Sequence, residues 1–239
     1  TDYREVIRLL KKEQIPGDRI LDSYRARLGE LEEIIRREKL VSLPDREAGI
    51  RIGSAAETAA QPSPHLDVPR LIGNTGEYPD FVLPLLQQDA EGGWRGSDDT
   101  YDAGSWTLTA HEARPGHELQ FSSMLEGGVS ITRALFAFNS ANVEGWALYA
   151  ERVAWEMGYQ DDPYDNLGRL QAELFRAVRL VVDTGMHYLG WSRQQAIDFF
   201  KENAGKQEHD IIVEVDRYIV WPGQALAYKI GELKIKELR

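Results

Sequence analysis

Apolar side chains recur at helical spacing over most of the chain. Between Pro16 and about Leu40 the apolar positions recur at multiples of the helical turn, and they are Ile20, Leu21, Leu28, Leu31, Ile34 and Ile35. Because an α-helix has 3.6 residues per turn, this spacing predicts an amphipathic helix that begins at Pro16. A shorter helix is predicted over residues 2–13. Together the two segments form the first predicted unit, an N-terminal helical hairpin over residues 1–42.

The second half of the chain has a stronger helical pattern. Ser192 and Gln195 predict a capping box at the start of one helix, Gly127 and Gly128 end another, and Pro222 separates the last two. The predicted helices cover residues 105–125, 131–138, 142–158, 164–189, 192–205, 208–220 and 223–238. We therefore predict a helical domain over residues 105–239.

Residues 43–104 interrupt the helical pattern with many prolines and glycines. Ala48–Ser54 and Phe81–Leu86 are predicted as short extended pieces within this segment. Long irregular segments inside compact proteins commonly carry function, so we expect a cleft wall or lid here. The predicted fold class is mainly α, as one continuous domain with a small β or irregular insertion in its first half.

Charge and composition exclude several classes of protein. The net charge of −11, from 39 acidic and 28 basic residues, repels phosphate backbones and argues against nucleic-acid binding. The absence of cysteine excludes disulfides, thiolate zinc ligands and cysteine nucleophiles. No apolar run is long enough to span a membrane.

The chain begins Thr-Asp-Tyr-Arg, without an apolar signal region or an initiating methionine. This start indicates a processed chain or an expressed fragment. The sequence does not fix the compartment: it slightly favours the cytoplasm, and a periplasmic or secreted location is the alternative if an N-terminal part is missing. The sequence predicts no oligomeric state.

The segment from His111 to His117 reads His-Glu-Ala-Arg-Pro-Gly-His. Zinc hydrolases often hold their metal with two histidines on one helix face, and a glutamate directly after the first histidine acts as general base. The usual spacing is four residues, or about one turn. Here the fourth position is Pro115 and the second histidine comes six residues after the first. Six residues rotate through about 600°, so a regular helix would leave the two imidazoles about 120° apart.

Pro115 and Gly116 decide how the motif folds. Proline lacks an N–H and its ring clashes with the carbonyl of His111, whereas glycine permits unusual backbone angles. If this pair forms a two-residue bulge in one helix that runs to about Leu125, His117 takes the place of the usual second histidine. Alternatively, the pair ends one helix and another begins, with both histidines on the surface. The seven residues alone leave both interpretations open.

Glu144 is the candidate third ligand. It lies in an otherwise apolar helix, next to a face formed by Val143, Trp146, Ala147, Ala150 and Val153. An unpaired buried carboxylate is costly, and a cation beside it removes that cost. Gly145 would allow another backbone to approach closely. Glu151, two turns later, is the backup ligand, an outer-shell residue, or simply a partner of Arg152 or Arg133.

Four blocks of sequence resemble the bacterial family called domain of unknown function 885 (DUF885). They span roughly residues 105–231 and include the run from Thr109 to Gln120, which contains the His-Glu-x-x-Pro-Gly-His motif. The others are Val-Glu-Gly-Trp-Ala-Leu-Tyr-Ala-Glu (143–151), Val-Asp-Thr-Gly-Met-His (182–187) with Gly-Trp-Ser (190–192), and Arg-Tyr (217–218) with Pro-Gly-Gln-Ala (222–225) and Tyr-Lys-Ile-Gly (228–231). The family is similar to the gluzincins, zinc peptidases with two histidines and a downstream glutamate. Its members are usually much longer, with a further helical half before this one.

The resemblance implies a helical gluzincin-like metallopeptidase domain. It implies one zinc ion held by His111, His117 and Glu144, with Glu112 as the general base. At position 118, where many members carry another histidine, this chain has a glutamate. Donors that stabilise a developing oxyanion are expected from the C-terminal blocks, and the candidates are His187, Tyr218 and Tyr228. Each of these three could equally be an ordinary structural residue.

Two arginines are candidates for binding the substrate. Arg217 could bind a substrate carboxylate through two parallel hydrogen bonds, and Arg179 is the alternative. Either could instead pair with a local acid. Asp183 could orient His187 or support a ligand histidine.

Three functions remain open at this level. The first is a zinc metallopeptidase that acts on a peptide or small amide substrate. The second is a metal-dependent hydrolase of another amide or an ester. The third is a non-catalytic helical module with a vestigial metal site.

Overall fold

The computed structural model describes residues 2–61, 63–86 and 100–239. Within them the chain is mainly helical with a small three-stranded sheet, which confirms the predicted fold class at that level. Helices α1 (Tyr3–Leu10) and α2 (Ile20–Glu38) come first. The predicted start of α2 at Pro16 is wrong by one turn, because residues 16–19 form a turn in which the Arg19 N–H donates to the Pro16 carbonyl. Pro62 and residues 87–99 of the predicted irregular segment lie outside the described residues.

The small sheet lies in the predicted insertion. Strands β1 (Gly49–Ile52) and β3 (Asp80–Leu83) fall in the two pieces predicted as extended, and β2 (His65–Asp67) was not predicted. The strand order is β1-β3-β2, with β1 parallel and β2 antiparallel to β3. Helix α3 (Ala55–Ala60) follows β1 and begins at a capping box formed by Ser54 and Glu57.

The remaining helices are close to their predicted positions. They are α4 (Asp102–Glu112), α5 (His117–Gly127), α6 (Ile131–Phe136), α7 (Ser140–Glu156), α8 (Pro163–His187), α9 (Arg193–Asn203), α10 (Glu208–Val220) and α11 (Gln224–Leu238). Both arms of the predicted capping box of Ser192 and Gln195 are present at α9. The main correction is that α4 and α5 are two helices rather than one bulged helix.

Helix α4 lies at the centre of the packing that positions the site. It contacts α2, α7 and α8, and α7 packs along α11. Gly145 of α7 meets Gly231 of α11 so closely that a Cβ on Gly145 would lie 2.5 Å from the Gly231 Cα. The predicted close approach at Gly145 is therefore confirmed. It brings the α7 residue Glu144 next to the first turns of α11.

Apolar clusters join parts of the chain that are distant in sequence. One cluster combines Tyr24 of α2, Phe81 of β3 and Ala113 after α4. Another combines Val178 of α8 with Ile211 and Tyr218 of α10. The insertion thus packs on the helices that flank the motif, in keeping with one continuous domain. The division at residues 42 and 104 stays a prediction.

Candidate metal centre

The motif folds as a helix, a four-residue turn and a second helix. Helix α4 ends at Glu112, residues 113–116 form the turn, and α5 begins at His117. A Cβ on Gly116 would lie 1.9 Å from the carbonyl oxygen of His111, so only glycine fits where the turn folds back on α4. This arrangement differs from the predicted bulge, yet both histidines are buried rather than on the surface.

The turn brings the two histidines to one point, where Glu144 of α7 meets them. The ring centroids of His111 and His117 lie 4.9 Å apart at an interplanar angle of 90°. The Glu144 Oε2 lies 3.3 Å from Nε2 of His117 and 3.9 Å from Nε2 of His111. One donor atom from each of the three residues lies within 4.8 Å of the other two. The three predicted ligands therefore share one cluster.

The other nitrogen of each histidine is engaged away from the cluster. Nδ1 of His111 lies 2.7 Å from Glu151 Oε1, and Nδ1 of His117 lies 3.3 Å from Gln120 Oε1. Because Nδ1 of each ring is directed at an oxygen that can accept a hydrogen bond, the neutral form of each ring carries its lone pair on Nε2, facing the cluster. A carboxylate behind a ligand histidine is a common outer-shell arrangement in metal sites. Glu151 thus supports His111 and is not the backup ligand.

The donor set fits a zinc ion. Two Nε2 lone pairs and the Glu144 carboxylate face one another, and three acceptors in one buried place repel unless a proton or a cation lies between them. Imidazole nitrogen and carboxylate oxygen are ligands that zinc takes in proteins, and three protein ligands leave a fourth position open.

The pKa shifts of the cluster residues also indicate that a positive charge is favoured between them. Burial opposes charge on both partners, yet their mutual hydrogen bond raises the pKa of His117 and lowers that of Glu144 to about 2. Burial, together with the charge of His117, holds the pKa of His111 well below its usual range.

Glu112 lies at the edge of the cluster. Its Oε1 is 4.0 Å from Nε2 of His111, and its side chain is largely buried. Burial raises the pKa of Glu112 to about 7, against the opposing charge of His117. This is the position and environment expected of a general base beside a metal.

Helix α11 supplies two more groups to the cluster. The Gln224 amide nitrogen donates to Glu144 Oε1 at 3.1 Å and lies 3.3 Å from the Tyr228 hydroxyl oxygen. The Tyr228 ring is stacked with His111, with centroids 6.2 Å apart. Of the three predicted oxyanion donors, Tyr228 is the one that lies against the ligands.

Tyr218 and the two predicted substrate-binding arginines form a second polar group around Glu214, which Gln224 links to the cluster by accepting from Arg217. The Tyr218 hydroxyl donates to Glu214 Oε2 at 2.6 Å and accepts from Arg179 Nε at 2.7 Å. Both Arg179 and Arg217 also donate to Glu214 Oε2, at 2.7 and 3.0 Å. The local acid that the sequence left open is therefore Glu214. Arg217 is the more accessible arginine, with a side chain 29% exposed against 6% for Arg179.

His187 and Asp183 are placed differently from the prediction. The Nε2 of His187 lies 2.9 Å from the carbonyl oxygen of Tyr218, at the exposed end of α8. Asp183 Oδ2 accepts from the Gly223 N–H at 3.0 Å, so it holds the start of α11. These two bonds tie α8 to the end of α10 and the start of α11 rather than to the histidine cluster.

Comparison with known proteins fits this picture of the chain. A family model described as "Bacterial protein of unknown function (DUF885)" matches residues 1–239. The chain belongs to the DUF885 family. A comparison with curated proteins gives no match.

Two solved structures share the fold. A "putative lipoprotein" from Colwellia psychrerythraea is 33% identical with a TM-score of 0.84, and the match covers 99% of this chain and 40% of that one. A "putative lipoprotein of unknown function" from Shewanella oneidensis is 23% identical, also with a TM-score of 0.84. That match covers 99% of this chain and 42% of the Shewanella chain. The DUF885 chain described here thus spans about two fifths of the length of these relatives. Within its described residues, no helix is long and apolar enough to cross a membrane.

Proposed function

We propose that this DUF885 chain carries the zinc site of a hydrolase that cleaves peptide bonds. The observation that carries the proposal is the convergence of His111, His117 and a Glu144 oxygen, with Nδ1 of each histidine facing an oxygen outside the cluster. His111, His117 and Glu144 would hold the ion. The likeness of the motif to gluzincins supports peptides as the substrate.

The ion and the chain would divide the chemistry between them. A bound zinc ion supplies a Lewis acid that polarises a carbonyl group and lowers the pKa of water. Glu112 takes the proton of the attacking water and passes it to the leaving amine. The Tyr228 hydroxyl is the donor next to the cluster that can turn toward a developing oxyanion, a contribution of about 2.7–4 kcal/mol for donors of this kind. Arg217, the more accessible arginine, is the group that would receive a substrate carboxylate.

Metal analysis tests the proposal. The metal-free chain, incubated with zinc and desalted, should retain one ion per chain, and His111→Ala or Glu144→Ala should abolish retention. His209→Ala is the matched control, because His209 is an exposed histidine of α10 outside the cluster. A wild-type chain that retains no zinc would rule out the proposal.

Substrate screening then separates the reactions open to such a site. Peptide libraries with free and amidated carboxyl ends should be cleaved by the zinc-loaded chain, and free ends should be preferred if Arg217 receives the carboxylate. If the chain cleaves only esters or non-peptide amides, the peptidase proposal is wrong and the chain is another metal-dependent hydrolase. Zinc retention without any turnover would favour the non-catalytic module.

A further inference from the structure

The turn between the two histidine ligands contains a buried ion pair. Arg114 lies in the turn and Glu118 is the second residue of α5, and the side chains of both are fully buried. The Arg114 Nε donates to Glu118 Oε2 at 2.6 Å, and its Nη2 donates to Glu118 Oε1 at 3.3 Å. The guanidinium and the carboxylate thus meet through two bonds across the point where α4 changes into α5.

The pair is tied to parts of the chain outside the motif. The Arg114 Nη1 donates to Glu32 of α2 at 2.7 Å, and its Nη2 donates to the carbonyl of Arg46 at 3.2 Å. The Arg46 guanidinium in turn donates to Glu118 at 2.5 Å, and the Ser122 hydroxyl donates to the same oxygen at 2.8 Å. Arg36 also pairs with Glu32 and Glu126 with Arg46, so three cations and three carboxylates balance. The network joins α2, the turn and α5 at one place.

The opposite side of the turn is held by α7. The Trp146 indole N–H lies 3.0 Å from the carbonyl oxygen of Pro115 and 3.3 Å from that of Gly116. Trp146 follows the ligand Glu144 by two residues in the same helix. The turn is thus fixed between the buried ion pair on one side and the helix of the third ligand on the other.

Burying such a pair is costly, and the two charges repay little of that cost as net stability. A role in fixing one particular geometry therefore explains a buried ion pair better than a contribution to stability does. Metal–ligand distances tolerate deviations of about 0.2 Å, so a small shift of α5 against α4 would separate the two Nε2 atoms from one ion.

We propose that Arg114 and Glu118 are positioning residues for the metal centre, because their ion pair fixes the turn that sets His117 against His111. The proposal deepens the proposed function and rests on it for the identity of the ion. It also assigns a role to Glu118. Many family members have a histidine at this position, and the family resemblance implied no role for the glutamate.

The test compares Arg114→Met and the double variant Arg114→Met/Glu118→Met with Arg27→Met. Arg27 is a matched control, since it is a buried arginine of α2 that pairs with Asp102 at the opposite end of α4. The double variant removes both charges together, which buried pairs often tolerate, whereas Arg114→Met alone leaves an unpaired carboxylate. Arg114→Lys keeps the charge but not the two-bond geometry, and it serves if the Met variants do not fold.

The first readout is zinc affinity, measured by competition with a chromophoric chelator. The double variant should bind zinc at least about tenfold more weakly than wild type, in the range of outer-shell effects. The zinc affinity of Arg114→Lys should lie between those of the double variant and wild type. Arg27→Met should stay within about threefold of wild type even where its melting temperature falls, because the α4–α5 turn is untouched. Wild-type affinity in a folded double variant and in Arg114→Lys would overturn the proposal.

The second readout needs no metal. Hydrogen exchange of the metal-free protein should become faster over residues 113–120 in the double variant and stay unchanged there in Arg27→Met. The relevant amides are those of Glu118, bonded to Ala113, and Gln120, bonded to Gly116. If wild type takes up no zinc, the proposed function fails, while the exchange result still decides whether the ion pair fixes the turn.

Discussion

Glu112 follows the first ligand directly along the chain, yet its carboxylate takes no part in the three-residue cluster. Burial raises the pKa of the Glu112 carboxyl group, and a raised pKa suits proton transfer rather than metal binding. A substitution of Glu112 can therefore separate metal binding from proton transfer.

Replacing Glu112 by glutamine keeps the shape of the side chain but removes the base. We expect zinc content to stay at one ion per chain and kcat/KM for a cleaved peptide to fall by about 10²–10⁴-fold. Glu202→Gln, an exposed position of α9, should change neither quantity. Full activity in Glu112→Gln would show that another group takes the proton.

At the residue scale, the local pattern predicted the cluster, left the support by Glu151 as one of three alternatives and missed the support by Gln224. His111, Glu112 and His117 were marked by their motif, and Glu144 by its apolar surroundings. The hydrogen bonds of Glu151 to His111 and of Gln224 to Glu144 join helices that are far apart in sequence. No spacing along the chain encodes such partners, because they depend on how α4, α7 and α11 pack together.

The helices themselves were largely predictable, because their apolar positions repeat with the helical period. Two short elements were not, although the six-residue α6 and the strands β1 and β3 were. Helix α3 has six residues and β2 has three, and neither shows an apolar period. For α3 a usable signal existed, since Ser54 and Glu57 have the spacing of a capping box. The break between α4 and α5 followed from Pro115 and Gly116, but whether it was a bulge or a turn depended on contacts from α2 and α7.

The contact between α7 and α11 gives a prediction at the level of elements. Gly145→Ala places a Cβ against the backbone of Gly231, which should push the two helices apart and move Glu144. We expect a loss of about 1–3 kcal/mol in unfolding free energy and weaker zinc binding. Chemical unfolding and chelator competition measure the two effects.

Gly29→Ala is the control for that substitution. Gly29 lies within α2, and among the described residues outside its own helix backbone nothing comes within 4 Å of where its Cβ would be. Alanine there should raise the unfolding free energy by about 0.4–1 kcal/mol and leave zinc binding unchanged. Equal zinc affinity in Gly145→Ala and wild type would mean that the α7–α11 contact does not position Glu144.

At the scale of the molecule, Glu214 joins α8 to α10 by accepting from Arg179, Arg217 and Tyr218. Burial opposes its charge, but the two guanidinium groups hold the pKa of Glu214 well below its usual range. A carboxylate whose pKa is lowered by folding stabilises the folded state above its unfolded pKa of about 4.5, and this contribution is lost as the pH falls.

Glu214→Gln should therefore destabilise the chain near pH 7, by about 3 kcal/mol for a broken buried pair. The gap to wild type should narrow by roughly 1.4 kcal/mol at about pH 3.5, one unit below the unfolded pKa. Urea unfolding at both pH values measures the gap. Asp216 lies on the same helix as Glu214 and forms an exposed pair with Arg193 of α9, so Asp216→Asn should have little effect at either pH. A gap that widens in acid would contradict the assigned ionisation of Glu214.

Composition predicted the broad class of the molecule, and the family match covers the chain from end to end. Its relatives of known structure are more than twice as long. Every proposed metal ligand lies within the chain described here.

A zinc-soaked crystal structure of this chain, with anomalous data at the zinc edge, tests the central claim most directly. We predict one anomalous peak within about 2.0–2.2 Å of His111 Nε2, His117 Nε2 and a Glu144 oxygen. Zinc bound elsewhere, or no peak between these three side chains, would contradict the claim.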